Sequence, residues 1–414
     1  MKALRNYLDK IKPNFLEGGK LHWAHSTFDA IETFLYVPNS TSKSGVHIHD
    51  ARDSKRTMIV VVLALIPALL VGMYNVGLQH YLAIGQAEAV DGLAKFLYGL
   101  LAVLPQIVVA YGVGLGIEFV VAQVKKEEVA EGFLVSGILI PMIMPIDTPL
   151  WMLALATAFA VVFAKEVFGG TGYNIFNVAL IARAFLFFSY PSKMSGDQVW
   201  VRTADTFGVG GGTVVDGYSG ATPLSQLVTA DSGNFADFTF TGVTGQPLSI
   251  IEMFIGLIPG SIGETSLAAI LLGALILIVT GVASWKIMFS IFAGGFATVA
   301  VINLFAANLV MEMPAYYHFL LGGFAFGAVF MATDPVTAAR TETGKWIYGL
   351  LIGFLAIVIR VFNPGFPEGM MLAILFMNAF APLIDLYIVD ANIKRRMKRG
   401  IAAKTLTNGG KGNE

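Results

Sequence analysis

The sequence contains no cysteine. Disulfides, thiolate-held iron–sulfur clusters and cysteine nucleophiles are excluded from this chain, although a partner could supply them. Charge is scarce too: only 13% of the 414 residues are charged, against 56% hydrophobic, and the mean hydropathy is +0.70. A soluble globule of this composition would leave too much apolar surface in water, so the chain reads as a polytopic membrane protein. With 27 basic and 28 acidic residues there is no electrostatic basis for a nucleic-acid partner. Histidines number six, and His22, His25, His47 and His49 do not form a convincing metal-ligand spacing. The opening "MKALRNYLDKIKPNF" is mixed and charged, so no removable signal peptide is expected.

What is present is a series of long apolar runs. A membrane span needs about 20 largely apolar residues, or fewer where protein packs around a broken helix. Ten runs qualify: Thr57–Gly77, Phe96–Val124, Phe133–Pro145, Leu150–Phe168, Ile175–Tyr190, Thr265–Ser284, Ile287–Ala307, Tyr316–Thr333, Trp346–Phe362 and Met370–Val389. The third and fifth are short, and Ile250–Pro259 is expected to enter only part of the way. Basic residues resist translocation, and this sets the orientation. With the N-terminus cytoplasmic, Lys125, Lys126, Lys165, Lys286, Arg340, Lys345 and the "KRRMKR" run from Lys394 all lie inside, leaving Lys95, Lys193 and Arg202 outside. Both termini are then cytoplasmic. The chain divides into a cytoplasmic segment (1–56), a first membrane unit (57–190), an outer loop (191–249), a second membrane unit (250–390) and a basic tail (391–414).

"VFGGTGYNIFNVALIARAF" from Val167 is similar to "VFNPGFPEGMMLAILFMNAF" from Val361, and "MPIDTP" from Met144 to "MATDP" from Met331. By the span count the members of each pair lie on opposite faces, which is what an inverted five-helix repeat would give. The alternative is chance likeness between Gly/Pro-punctuated segments. The expected fold class is all-α, about ten transmembrane helices in two inverted repeats.

Chemistry-bearing residues are few. In the outer loop, "DGYSGATPL" offers the Thr222 hydroxyl among Ser219, Gly220 and Ala221, with Asp216 the nearest ionisable group in sequence. No base stands ready to activate it, so Thr222 is an acceptor rather than a nucleophile, and no catalytic residue is named. From the residues alone the stretch also reads as an ordinary turn. Glu118 and Asp385 are carboxylates inside spans, where a functional role is the default, though Glu118 near a span end can snorkel. Gly114 and Gly116 on the same helix either admit a flat ring or pack helices. Asn174 and Asn177 in "GGTGYNIFN" either cap a helix or, with Phe185 and Phe187, line an apolar slot. Phe326 and Phe330 form either an aromatic constriction or a packed face. Arg183 and Arg360 are intramembrane cations, and Asp147 and Asp334 end the matched repeat motifs.

Taken together, "DGYSGAT", "KEVFGGTGYNIFNVALIARAFLFFSYP", "IPGSIGE", "GGFAFG", "FMATDPV", "NPGFPEGMMLAILFMNAFAPLID" and "NIKRR" resemble, in order and spacing, the B-subunit family of the Na+-translocating NADH:quinone oxidoreductase (Na+-NQR), related to the D subunit of the Rnf-type ferredoxin:NAD+ oxidoreductase. The likeness runs from about His49 onward, and the N-terminal extension is closer to the quinone reductase. The resemblance implies a urea-transporter-like inverted repeat in a bacterial inner membrane, in a respiratory Na+ pump with five other subunits. It implies FMN joined through a phosphoester to Thr222 by a flavin transferase that reads Asp216, Ser219, Gly220 and Ala221, and a non-covalent riboflavin, which we place near Asn174 and Asn177. It also implies a quinone site including Gly114, and sodium uptake at Glu118 and Asp385. The alternatives are an Rnf-type D subunit and a flavin-free channel or transporter of the same architecture.

Overall fold

Backbone polar groups in a bilayer have no water to pair with, so apolar runs of this length close their hydrogen bonds within helices. A computed structural model shows how far each run succeeds; it describes residues 2–16, 18–25, 27–28, 32, 36, 44–46, 54–127, 129, 132–230, 234–363, 365 and 368–409. His47 and His49 fall outside the described residues. The membrane elements are α1 (Ser54–Ala83), α2 (Gly92–Lys125), α3 (Phe133–Met142), α4 (Leu150–Phe159, running through a π turn at Ala160–Lys165 to Phe168), α5 (Val178–Ser189), α6 (Leu267–Val279), α7 (Trp285–Asn303), a broken α8 (Ala315–Leu320, Phe324–Phe326 and Gly327–Met331), α9 (Glu342–Phe362) and α10 (Met370–Gly409).

The ten expected spans are not equivalent. Among the described residues six helices, α1, α2, α4, α7, α9 and α10, are long and apolar enough to cross a membrane, and no strand forms beyond two isolated bridges. α3, α5 and α6 have 10, 12 and 13 residues. α8 is interrupted at Gly322, which takes a left-handed φ of +70° that a side chain would resist. At the other extreme, α2 has 34 residues, about 51 Å at 1.5 Å per residue, so it outreaches the apolar core. α10 passes through residue 390 without a break, so the basic "KRRMKR" run continues the last helix.

Short and broken helices leave backbone groups unpaired, and polar side chains on the long helices meet them. Gln106 on α2 donates to the carbonyls of Pro145 (3.3 Å) and Ile146 (2.9 Å) just past α3. Asn75 on α1 donates to the Ile258 carbonyl at 2.8 Å and accepts from Gln79 at 3.0 Å. The Gly263 amide donates to the Met142 carbonyl at 2.7 Å, tying the "IPGSIGE" loop to the end of α3. α7 and α9 approach through small residues: a Cβ on Gly349 would sit 1.8 Å from Ser290 Oγ, and one on Gly353 would sit 2.1 Å from the Ile291 carbonyl oxygen. Large side chains such as Val108, Val120, Phe289 and Phe296 point outward, which is where the apolar excess of the sequence goes.

The 191–249 loop is fastened to the ends of α1 and α2. His80 bonds the Arg202 carbonyl through Nδ1 at 2.8 Å and the Gly211 amide through Nε2 at 3.2 Å. A carbonyl only accepts and an amide N–H only donates, so the ring is neutral with its proton on Nδ1. Tyr98 stacks on His80 at 3.9 Å and donates to the Ala204 carbonyl at 2.6 Å. These bonds fix the loop that carries Thr222.

Candidate functional site

Pro223 restricts the residue before it to extended backbone, and Thr222 obeys, with φ −67° and ψ 152°. It is the N-cap of a short helix, Pro223–Thr229, and its hydroxyl accepts the Ser225 amide at 3.3 Å. The cap uses one lone pair of the hydroxyl oxygen, and Thr222 is half-buried. Gln226 holds the loop from behind: its Nε2 donates to the carbonyls of Ala221 (3.1 Å) and Thr241 (2.8 Å), and its Oε1 accepts the Thr241 amide at 3.0 Å. Gly220 backs onto the Asp197 carbonyl, where a Cβ would come within 2.2 Å of the oxygen. Ser219 bonds the Val243 carbonyl through its amide at 3.1 Å and Ala221 is half-buried, while Asp216 is exposed. Burial, with Asp197 and Asp147 adding to it, pushes the neighbouring Tyr218 phenol up to about 12, so it stays neutral.

Thr222 borders two adjoining clefts. One, of about 260 Å³, is lined by Arg183, Phe187, Trp200 and Glu368; the other, of about 20 Å³, by Pro259, Ser261, Glu264 and Gly322. Between them lies a buried ion network in which Arg183 bonds Glu264 at 2.8 Å and also pairs with Glu368. Arg360 is fully buried rather than snorkelling, and donates to the carbonyls of His318 (2.6 Å) and Glu368 (3.3 Å). The partners of Arg183 lie 81 and 185 residues away, a separation that hides them from local reading.

A third cleft, of about 90 Å³, lies at the N-terminal end of α5. Asn174 and Asn177 line it together with Thr57, Thr171, Lys165, Phe330 and Asp334. Asn177 Oδ1 caps α5 through the amides of Ala179 (3.0 Å) and Leu180 (3.2 Å), and Asn174 donates to the Phe176 carbonyl at 3.1 Å. Thr171 Oγ1 is buried in the wall without a hydrogen-bond partner. Burial raises the Asp334 carboxyl against bonds from the Val336 amide and Thr337 hydroxyl that favour its charged form. Phe185 and Phe187 do not join the asparagines. Phe185 stacks on Phe159 at 4.5 Å, and Phe187, ten residues from Asn177 and so about 15 Å up the helix, lines the Thr222 cleft.

Glu118 on α2 is buried and paired with Lys165, so it does not snorkel. Lys165, an inner loop charge by span counting, is 3% exposed and inside the bundle. Gly114, four residues before Glu118, shares its buried face; a Cβ there would lie 1.9 Å from the Phe133 ring. Gly116 is exposed, on the other side of the helix, with nothing within 4 Å of a Cβ. Asp385 accepts the amides of Arg340 (2.7 Å) and Thr341 (3.0 Å) and the Thr341 hydroxyl, bracing the threonine that caps α9 through the Gly344 amide. Phe326 and Phe330 are buried with ring centres 5.0 Å apart, against Gly263 and Gly273. Among the described residues no group of three His, Asp or Glu side chains is placed to hold a metal.

The profile of the NQR2, RnfD, RnfE family matches residues 41–394. Similar proteins include the B subunit of the Na(+)-translocating NADH-quinone reductase of Chromohalobacter salexigens, 45% identical over 98% of this chain and 99% of its own length. Proteins of that name from Neisseria meningitidis serogroup A (44% identical, 96% and 99% covered) and Klebsiella pneumoniae (43%, 96% and 100%) match equally broadly. An all-helical membrane scaffold, a profile match over most of its length and near-full-length relatives lead to one conclusion: the chain belongs to the NQR2, RnfD, RnfE family.

Proposed function

We propose that this chain is the membrane-embedded B subunit of a Na+-translocating NADH:quinone reductase, carrying FMN on Thr222 and riboflavin in the cleft beside Asn174. The observation that carries this reading is the Thr222 hydroxyl, held in extended backbone at the mouth of two clefts, in a chain whose near-full-length relatives bear that name. The residues suit both groups. Esterified Thr222 keeps a lone pair for the Ser225 amide, and the cleft by Asn174 offers the unpartnered Thr171 hydroxyl to a polar edge of a bound ring. Bound flavin supplies reversible electron transfer, while the chain anchors it, orients it and excludes water. α5 connects the two sites, with Asn177 capping its start, Arg183 at its middle and Phe187 near its end.

Electrons entering from NADH through the five partner subunits pass between these sites to quinone, with Na+ moving outward. The Gly114 face is filled by Phe133, so a quinone ring reaches it only if that side chain moves, while the Gly116 face is open. Glu118 is the stronger of the two ion-uptake candidates, because Asp385 is committed to bracing the α9 cap. Part of the packing supports the inverted repeat, although α1 packs closely on α2 and, among the described residues, α6 has no comparable contact with α7. α2 packs on α3 and α4 as α7 does on α8 and α9; α4 packs on α5 as α9 does on α10; and the first and fifth elements pair across the halves, α1 with α6 and α5 with α10. The contacts Lys125–Glu166, Lys286–Glu342 and Arg202–Asp147 each join groups that charge counting puts on one side, in keeping with an inner-membrane protein whose termini are cytoplasmic.

Expression with a flavin transferase tests the reading. The denatured band of the wild type should fluoresce and that of Thr222→Ala should be dark. A colourless wild-type band would favour a flavin-free channel, and ferredoxin-linked activity without quinone reduction would favour the Rnf-type D subunit.

A further inference from the structure

Glu118 and Lys165 are 4% and 3% exposed, and the ammonium meets only one carboxylate oxygen; Glu118 Oε2 is buried with no hydrogen-bond partner. A carboxylate held in low dielectric by a single cation is under-satisfied. Lys165 lines the cleft shared by Asn174, Thr171 and Asp334, and Glu118 does not, so the lysine side chain stands between the cleft and the carboxylate its ammonium holds. Lys165 also closes the π turn of α4, with φ −124° and ψ −64°, outside helical values. The lysine stem thus springs from a joint where the helix changes register. The next residue, Glu166, is held by Lys125 at 3.4 Å.

We propose that Lys165 is a tethered cation competing with the transported ion for Glu118, and that negative charge arriving in the cleft draws Lys165 away and opens the carboxylate. Charge balance requires the exchange. Adding Na+ to a neutral buried pair would place a net positive charge in low dielectric, whereas replacing one monovalent cation by another leaves the site neutral. The displaced ammonium then needs an anion, and the cleft offers Asp334 together with any negative charge on its occupant. Occupancy of the cleft and ion affinity at Glu118 are thereby linked, each shifting the other by the same factor.

The proposal rests on Glu118 being an ion-uptake group, and the experiment separates the two. Radiolabelled Na+ binding is measured on the assembled complex, oxidised and dithionite-reduced. Wild type should bind more tightly when reduced. Lys165→Met should bind about tenfold more tightly than oxidised wild type in both states, because no ammonium has to be displaced. Lys165→Arg keeps the charge and the fold and adds donors, and should bind Na+ more weakly than wild type. Wild-type affinity in both variants, or weaker binding in Lys165→Met, overturns the proposal. If Glu118→Gln leaves Na+ binding unchanged, the ion-uptake reading fails and takes the proposal with it. If Glu118→Gln weakens binding but Lys165→Met has no effect, only the tethered-cation role is lost.

Discussion

Two ion clusters lie along α5, one at its middle around Arg183 and one beside its N-terminal end around Lys165, and they are built differently. Beside Thr222, Arg183 is held by Glu264 and Glu368 and backed by Arg360, so two cations face two anions across four chain segments. Beside the asparagine cleft, one lysine faces one glutamate and leaves an oxygen without a partner. Arg183 is gripped by two carboxylates from separate segments, although Arg360 Nε beside it has no hydrogen-bond partner, whereas a pair held by a single contact is where a second arrangement lies close in energy. The first cluster is therefore scaffold for the Thr222 clefts, and the second is the part able to change.

The largest effect should come from breaking the scaffold. Arg183→Met strands two buried carboxylates at a cost of about 3–5 kcal/mol, and should appear as loss of assembled complex or a lowered Tm. Near-normal yield and Tm would show that this cluster is not the brace described. Gly114→Ala comes next: its Cβ collides with the Phe133 ring, an overpacking cost of about 1–3 kcal/mol, readable in the same melting assay and relieved by Gly114→Ala combined with Phe133→Leu. Asp385→Ala removes hydrogen bonds that brace the Thr341 cap, at a cost of about 1 kcal/mol, and should leave Na+ affinity unchanged, unlike a change at Glu118. Altered Na+ affinity there would move Asp385 into the ion path. Smallest is Gly116→Ala, on an open helix face, with an effect on stability within about 0.5 kcal/mol.

The membrane class is plain in the sequence, and the length of the third and fifth runs already marks them as short. The Gly322–Gly323 pair in "GGFAFG" carries the signal for the break in α8, although hydropathy alone shows only an apolar run there. Lys165 escapes local reading for a physical reason: counting loop charges treats any lysine at the end of an apolar run as solvated, and only the π turn and the facing Glu118 put it inside. Gly114 and Gly116 are two residues apart, which on a helix means different faces, yet spacing alone does not say which face is covered. The Arg183 partners come from the loop before α6 and the loop before α10, so no local pattern links them. Thr222 itself is legible, because its motif is contiguous; its place at the mouth of two clefts is not.

The most direct test is a mass spectrum of the peptide spanning Thr222, from protein made together with a flavin transferase. The account predicts that peptide carrying the mass of FMN less one water, with the Thr222→Ser peptide modified to a lesser degree. An unmodified Thr222 peptide from an assembled, quinone-reducing complex would contradict it.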